Sequence, residues 1–239
     1  MAKPMILYGR ILSPYLARCA IAANAKGLKL DIKLPAEGIK SPSFLKLNPL
    51  GQIPVLVDGP AAEGRKSKKS RASSRATAIY ESAVIVGYLD TKSKKTPLFP
   101  KAPKALLASR LPAAVAADYV QPNAAALFRL KRGIAAPHVT LEGSAAALDK
   151  GLDALEHVLA KGRFAGGSAF TSADCIIPPA LQFATRVAGM FALPDPLKGR
   201  PKLAKYWASI QKHKAVKPVI DAMHAMMDDA LAGKLPPLR

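Results

Sequence analysis

Three short stretches of this 239-residue chain join residues that do chemistry to residues that fix backbone shape. Ser13-Pro14 puts a hydroxyl where a helix begins, since serine is a preferred N-cap and proline a preferred first helical residue. Glu81-Ser82 sets an acid beside a hydroxyl, ahead of the apolar Ala83-Val84-Ile85-Val86. Its simplest reading is another helix start, with Ser82 as cap and Glu81 an exposed acid. Between them, Asn48-Pro49-Leu50-Gly51-Gln52-Ile53-Pro54 is a turn that feeds the β-preferring Val55-Leu56-Val57. Pro54 stands at the strand entrance, where a missing N–H is tolerated, and the local sequence leaves the Ile53-Pro54 bond open to either isomer.

Other reactive residue types lack a pattern. Cys19 and Cys175 form no CxxC pair and read as small buried apolar residues. His138, His157, His213 and His224 have no metal-ligand spacing, so no metal site is expected.

The elements that must position these residues follow from periodicity and punctuation. Met5 to Tyr8 is a first strand, and the helix begun at Ser13 runs to about Ala25, with Gly27 as its C-cap. Leu28, Leu30, Ile32 and Leu34 alternate with charged residues, which predicts a second strand with one buried face. A βαβ unit of this kind makes the two strands parallel. Ser41 to Leu47 holds a short helix, Val55 to Val57 a third strand, and Asp58-Gly59 a hairpin signal. The returning strand, Thr77 to Tyr80, is delayed by a basic insertion over 60–76. That insertion carries Arg65, Lys66, Lys68, Lys69, Arg71 and Arg75 against one acid, Glu63. It has no hydrophobic period and is expected to be exposed. A helix runs from Ser82 to about Leu89. The order βαβ, connector, ββα is that of thioredoxin.

Residues 92–104, with three prolines and five lysines, read as a linker. Beyond them no strand pattern appears. Ala102 to Leu130 is helical with an interruption near Pro122, and Leu148, Leu152, Leu155 and Val158 mark a helical face. Thr171-Ser172-Ala173-Asp174 is a capping box opening a helix that Pro178-Pro179 should kink. Leu203 to Ile210 and Val219 to Met227 are the last helices. The fold class is α+β: a thioredoxin-like domain over 1–91, a linker over 92–104 and an all-α domain over 105–239.

Half the residues are hydrophobic, which excludes a disordered chain. The net charge of +20 favours polyanions, although most of it is spread over the chain, as on a solvated surface. The N-terminal apolar run is too short for a signal peptide or a membrane span, and two lone cysteines form no secreted-type disulfide framework. A reducing, cytoplasmic setting is expected.

Taken in order and spacing, these stretches resemble the cytosolic glutathione transferase family, in its bacterial-type, serine-containing form. They are Leu7-Tyr8-Gly9, Ser13-Pro14-Tyr15, the Ile53-Pro54 turn, Glu81-Ser82 and Pro97-Leu98-Phe99-Pro100. The capping box at Thr171 and the setting of Trp207 extend the resemblance over nearly the whole chain, the insertion excepted. It implies glutathione as co-substrate, no metal, a small hydrophobic electrophile as second substrate, and a homodimer. Ser13 aligns with the catalytic serine, which stabilises the glutathione thiolate; Tyr8 and Tyr15 are the substitutes to watch. Ile53, before Pro54, offers its backbone to the cysteinyl part, with Gln52 beside it. Glu81 and Ser82 hold the γ-glutamyl end. Arg18 or Lys40 is expected at the glycine carboxylate, and Tyr119, Phe128 and Arg129 near the electrophile. Alternatives are a glutathione-dependent isomerase or dehalogenase, or a binding module of the same fold whose basic insertion docks to a polyanion.

Overall fold

The computed structural model describes residues 5–59, 76–236 and 238. The basic segment expected to be exposed over 60–76 lies outside these, apart from Ala76.

The described residues up to Thr91 hold one four-stranded sheet and three helices. Strand β1 (Met5–Tyr8) pairs in parallel with β2 (Leu30–Lys33) and antiparallel with β3 (Val55–Asp58), which pairs antiparallel with β4 (Thr77–Ile79). The order is β2-β1-β3-β4. Helix α1 (Pro14–Lys26) starts at Ser13, whose Oγ accepts from the Leu16 N–H at 3.4 Å, and stops at Gly27, in the left-handed region at φ 67°. Helix α2 (Pro42–Leu45) is capped by Ser41, and α3 (Ser82–Thr91) follows β4 directly. The root of the β3–β4 hairpin is tied to α3. The Asp58 carboxylate accepts from Tyr88 Oη and Lys92 Nζ, both at 2.7 Å, and these bonds hold it below its ordinary range.

The alternation in β2 is realised only in part. Leu28 and Leu30 pack against the core, whereas Ile32 and Leu34 are 39% and 40% exposed. The cause is topological. β2 is an edge strand, and Ile32 and Leu34 border an open groove.

Residues 92–102 lie against the body of the protein. Buried Leu98 donates its N–H to Asp90, which also pairs with the buried Lys26 ammonium of α1 at 2.7 Å. Helix α4 (Pro103–Val115) continues through a π-helical turn (Ala116–Val120) into α5 (Gln121–Lys131). The interruption expected near Pro122 is this turn: Pro122, in the first turn of α5, has no N–H to donate. Helix α6 (Leu141–Val158) approaches it closely enough that a Cβ on Gly151 would lie 2.8 Å from the Tyr119 carbonyl oxygen.

Helix α7 (Ser172–Met190) is the axis of the second half and is buried on nearly every face. It runs on through Pro178-Pro179 without ending. Its capping box forms as the sequence predicts. The fully buried Asp174 accepts from the N–H groups of Thr171 and Ala165 and from the Thr171 and Tyr206 hydroxyls. Burial nevertheless pushes its carboxyl up to about 6. Helices α8 (Pro201–Ile210) and α9 (Lys217–Leu231) close the structure. One hydrophobic core joins β1, β3 and α1 to α7 and α9. Among the described residues no helix is long and apolar enough to cross a membrane, and no cluster of His, Cys, Asp or Glu has the makings of a metal site.

Candidate functional site

The turn before β3 takes its shape from Asn48 and Gly51. Asn48 is 2% exposed; its side-chain amide donates to the Gln52 carbonyl at 2.9 Å and its carbonyl oxygen accepts from the Leu50 N–H at 3.0 Å. Gly51 has φ 58°, and a Cβ there would lie 2.9 Å from both the Ile39 carbonyl oxygen and Lys40 Nζ. Only glycine fits both constraints. The turn delivers Ile53-Pro54 with a cis bond, and the Ile53 backbone N–H and C=O have no hydrogen-bond partner among the described residues.

Opposite this free edge stands the start of α3. Glu81 is exposed and occupies φ 67°, ψ 105°, with no side-chain cap on the helix it opens. A non-glycine residue in that region costs on the order of 1–3 kcal/mol and persists only where its surroundings impose it. Ser82 is buried, and its carbonyl oxygen receives the Cys19 thiol from α1 at 3.6 Å. The first N–H groups of a helix lack intrahelical partners, so this end offers donors and positive potential beside a carboxylate.

The two elements face one hollow of about 490 Å³. It is lined by Gln52, Ile53, Pro54, Glu81 and Ser82, joined by Tyr15, Ile39, Asn48 and Gly51. All five residues expected to hold a tripeptide are therefore brought together. Sequence reasoning missed Ile39, which comes from the β2–α2 connection. It took Asn48 and Gly51 only as turn formers, though both also form the wall.

Ser13 is half-buried and does not border the hollow, whereas Tyr15, in the first turn of α1, does. The Ser13 hydroxyl proton has no acceptor among the described residues, so the group is free to donate while its oxygen caps the helix. Arg18 is not placed for a carboxylate in this hollow. It is 4% exposed and lies beneath the Tyr15 ring, 4.8 Å from the centroid, with Nε and Nη2 unpartnered among the described residues; desolvation lowers its pKa. Lys40 is at the rim, with Nζ 3.4 Å from the Leu50 carbonyl oxygen. Tyr119 is exposed on the π turn, Arg129 is exposed on α5, and Phe128 is buried edge-on against Phe183. Cys19 and Cys175 are free and fully buried. Burial pushes the Cys19 thiol up to about 12 and Cys175 well above its ordinary value, so neither is a ready nucleophile.

A second, more apolar groove of about 590 Å³ runs between the β1–α1 loop, the β2 edge and α9. It shares no lining residue with the first.

Comparison with known proteins gives this geometry its context. The family model for the glutathione S-transferase N-terminal domain matches residues 7–97, and that for the C-terminal domain matches residues 124–208. Glutathione S-transferase 3 of Zea mays is 33% identical over 233 residues, 92% of this chain and 95% of that protein. A zeta-class glutathione S-transferase of Euphorbia esula is 29% identical over 191 residues, 76% of this chain and 77% of that protein. The solved structure of glutathione S-transferase III in apo form superposes with a TM-score of 0.71 at 29% identity, over 98% of this chain and 99% of that one. A glutathione S-transferase of Methylobacillus flagellatus with GSH bound gives 0.69 at 26% identity, over 90% and 98%. These matches fix the family and not the class within it. The chain belongs to the glutathione S-transferase family.

Proposed function

We propose that this protein conjugates reduced glutathione to a small hydrophobic electrophile, with Ser13 stabilising the thiolate. The observation that carries the reading is the single hollow flanked by the free Ile53 backbone edge and the uncapped start of α3. These are the parts an extended, zwitterionic tripeptide needs. The α3 N-terminus and Ser82 take the γ-glutamyl carboxylate, and the Glu81 carboxylate takes its ammonium. Ile53 pairs with the cysteinyl backbone as a short added strand, with Gln52 beside it and Pro54 fixing the turn. Lys40, at the rim, is the nearest candidate for the glycine carboxylate. The Methylobacillus relative, solved with GSH bound, supports the same ligand here.

In the reaction the bound thiol loses its proton to solvent, and the hydroxyl of Ser13 donates to the sulfur, favouring the charged form. The thiolate attacks an electrophilic carbon, the C–S bond forms and the leaving group departs with its electron pair. Residues 1–91 form the glutathione-binding domain, 92–104 the linker and 105–239 the helical domain. The free, buried thiols of Cys19 and Cys175 suit a reducing cytoplasm.

A homodimer is part of the proposal. Val84 on α3 and Leu107 on α4 are 56% and 63% exposed, and large apolar side chains left open on two helices suit cover by a second copy.

Titration calorimetry of reduced glutathione into the wild type and Ser82→Ala tests the site. Saturable binding that collapses in the variant is expected. Absence of wild-type binding at millimolar ligand overturns the transferase reading and leaves the fold intact.

A further inference from the structure

The loop between β1 and α1 carries a cation, Arg10, that nothing among the described residues neutralises. Arg10 is half-buried, and its Nη2 is fully buried without a hydrogen-bond partner among the described residues. Among the described residues it forms no ion pair, and the charge that perturbs it is another cation, Arg132, at the end of α5. Desolvation and that repulsion both lower its pKa. A buried guanidinium nitrogen without an acceptor is costly, and an arrangement of this kind is stabilised when an anion arrives.

Arg10 borders the second groove. The rest of that wall is mostly apolar, with Ile11 and Leu34 on one side and Val219 and Met226 on the other. The groove has the size of a small-molecule site. It is also close to the chemistry. The Ser13 N–H donates to the Arg10 carbonyl oxygen at 2.9 Å, so one tight turn joins the two residues. Gly9, which borders the groove, lies against Ile53 of the glutathione hollow: a Cβ on Gly9 would sit 3.1 Å from the Ile53 Cβ. The two hollows are therefore neighbours across the residue that receives the cysteinyl part of glutathione.

We propose that this groove is the electrophile subsite and that Arg10 selects electrophiles bearing a carboxylate at the end remote from the reacting carbon. The proposal rests on the transferase reading above. The ligand is an amphipathic anion: its apolar body lies on Ile11, Val219 and Met226, and its carboxylate pairs with the Arg10 guanidinium where that group borders the groove. Arg10 makes no contact with the reacting atoms and acts on specificity alone.

A matched pair of aryl chlorides tests it: a chlorodinitrobenzoate and its methyl ester, each normalised to its uncatalysed rate with glutathione. In both, the thiolate forms a C–S bond at the carbon bearing chlorine, the C–Cl bond breaks, chloride leaves and the thiol proton goes to solvent. The wild type is expected to favour the carboxylate in kcat/KM. Arg10→Gln is expected to lower the carboxylate-to-ester ratio at least about tenfold, the worth of one charge-assisted hydrogen bond. Arg10→Lys is expected to keep most of the preference. A ratio unchanged in Arg10→Gln overturns the proposal, as does a wild-type preference for the ester. Calorimetry with the unreactive dinitrobenzoate separates the two readings if neither chloride is turned over. Binding to the wild type that is lost in Arg10→Gln keeps the anion site and counts against the transferase reading. Absence of binding overturns the site itself. Thermal melts of both variants establish that they are folded.

Discussion

Asn48 and Gln52 are joined by a hydrogen bond inside the turn that presents Ile53, with the Asn48 amide donating to the Gln52 carbonyl at 2.9 Å. The other end of the same side chain accepts from the Leu50 N–H. One buried side chain thus replaces two backbone contacts that the turn does not make for itself, and it also forms part of the hollow's wall. Removing it affects stability and ligand binding together. Asn48→Ala is expected to lower stability by about 1–3 kcal/mol, because it removes the two hydrogen bonds that this buried side chain makes to the Leu50 N–H and the Gln52 carbonyl. It is expected to raise the KM for glutathione more than it lowers kcat, since in the proposed binding mode the turn meets the tripeptide and not the electrophile. Asn48→Asp keeps the acceptor and loses the donor, and should fall between. Urea denaturation with calorimetry checks this; a variant destabilised but binding glutathione as tightly as the wild type would separate the turn from the site.

Ser13 and Tyr15 are the two candidates for the proposed role at the thiol, and the structure gives each one credential. Ser13 has an unused hydroxyl proton at a helix start, and Tyr15 lines the hollow. A hydroxyl that stabilises the thiolate lowers the pKa of bound glutathione, so its loss raises that pKa and moves the rate profile to higher pH. Ser13→Ala is expected to reduce the rate about 10- to 100-fold at neutral pH, the range of one hydrogen bond to a charged group. The deficit should shrink as pH rises past the new thiol pKa. Tyr15→Phe should leave the profile in place. A shifted profile in Tyr15→Phe, with Ser13→Ala unshifted, would transfer the role.

Much of this arrangement was legible in the sequence because it is locally encoded. Ser13 and Gly27 bound α1, and the Thr171 capping box forms around Asp174, because caps depend on a few adjacent residues. Glu81 and Ser82 reach the hollow because a strand-to-helix junction places them at the α3 start. What escaped depends on distant packing. Ile39 carries no motif and reaches the wall only through the β2–α2 connection. Arg18 was expected at a carboxylate because it is cationic, yet it lies on the helix face that turns beneath Tyr15. The alternation of Ile32 and Leu34 told their common face correctly but not that an edge strand leaves it open. Arg10 gave no signal, because its isolation comes from the absence, among the described residues, of a carboxylate around it in space.

The exposed apolar side chains on α3 and α4 set an expectation for assembly. Light scattering after size exclusion should find a dimer for the wild type. Val84→Glu and Leu107→Glu should shift it towards monomer, because a charge in an apolar interface is desolvated without a partner. Neither change should lower the melting temperature of the isolated chain by much, since both side chains face outward. A monomeric wild type at micromolar concentration would remove the homodimer from the proposal.

Asp174 provides a test that does not involve the ligand. Its native pKa of about 6 lies above the ordinary carboxyl value of 3.8, because burial disfavours the charge more than four donors favour it. The native state therefore binds the proton more tightly than the unfolded chain does. Its contribution to stability is fully present below about pH 3.8, falls as pH rises towards 6, and is constant above that. Asp174→Asn removes the titration and replaces one of the two carboxylate oxygens with an NH2 donor, which faces the N–H of either Thr171 or Ala165. The loss should be on the order of 3 kcal/mol at neutral pH, from buried donors left unpaired. The gap between wild type and variant should widen as pH falls from about 7 to about 4.5, since only the wild type gains from proton uptake. Urea midpoints across that range measure it. A gap independent of pH would mean that the four hydrogen bonds keep Asp174 ionised in the native state throughout.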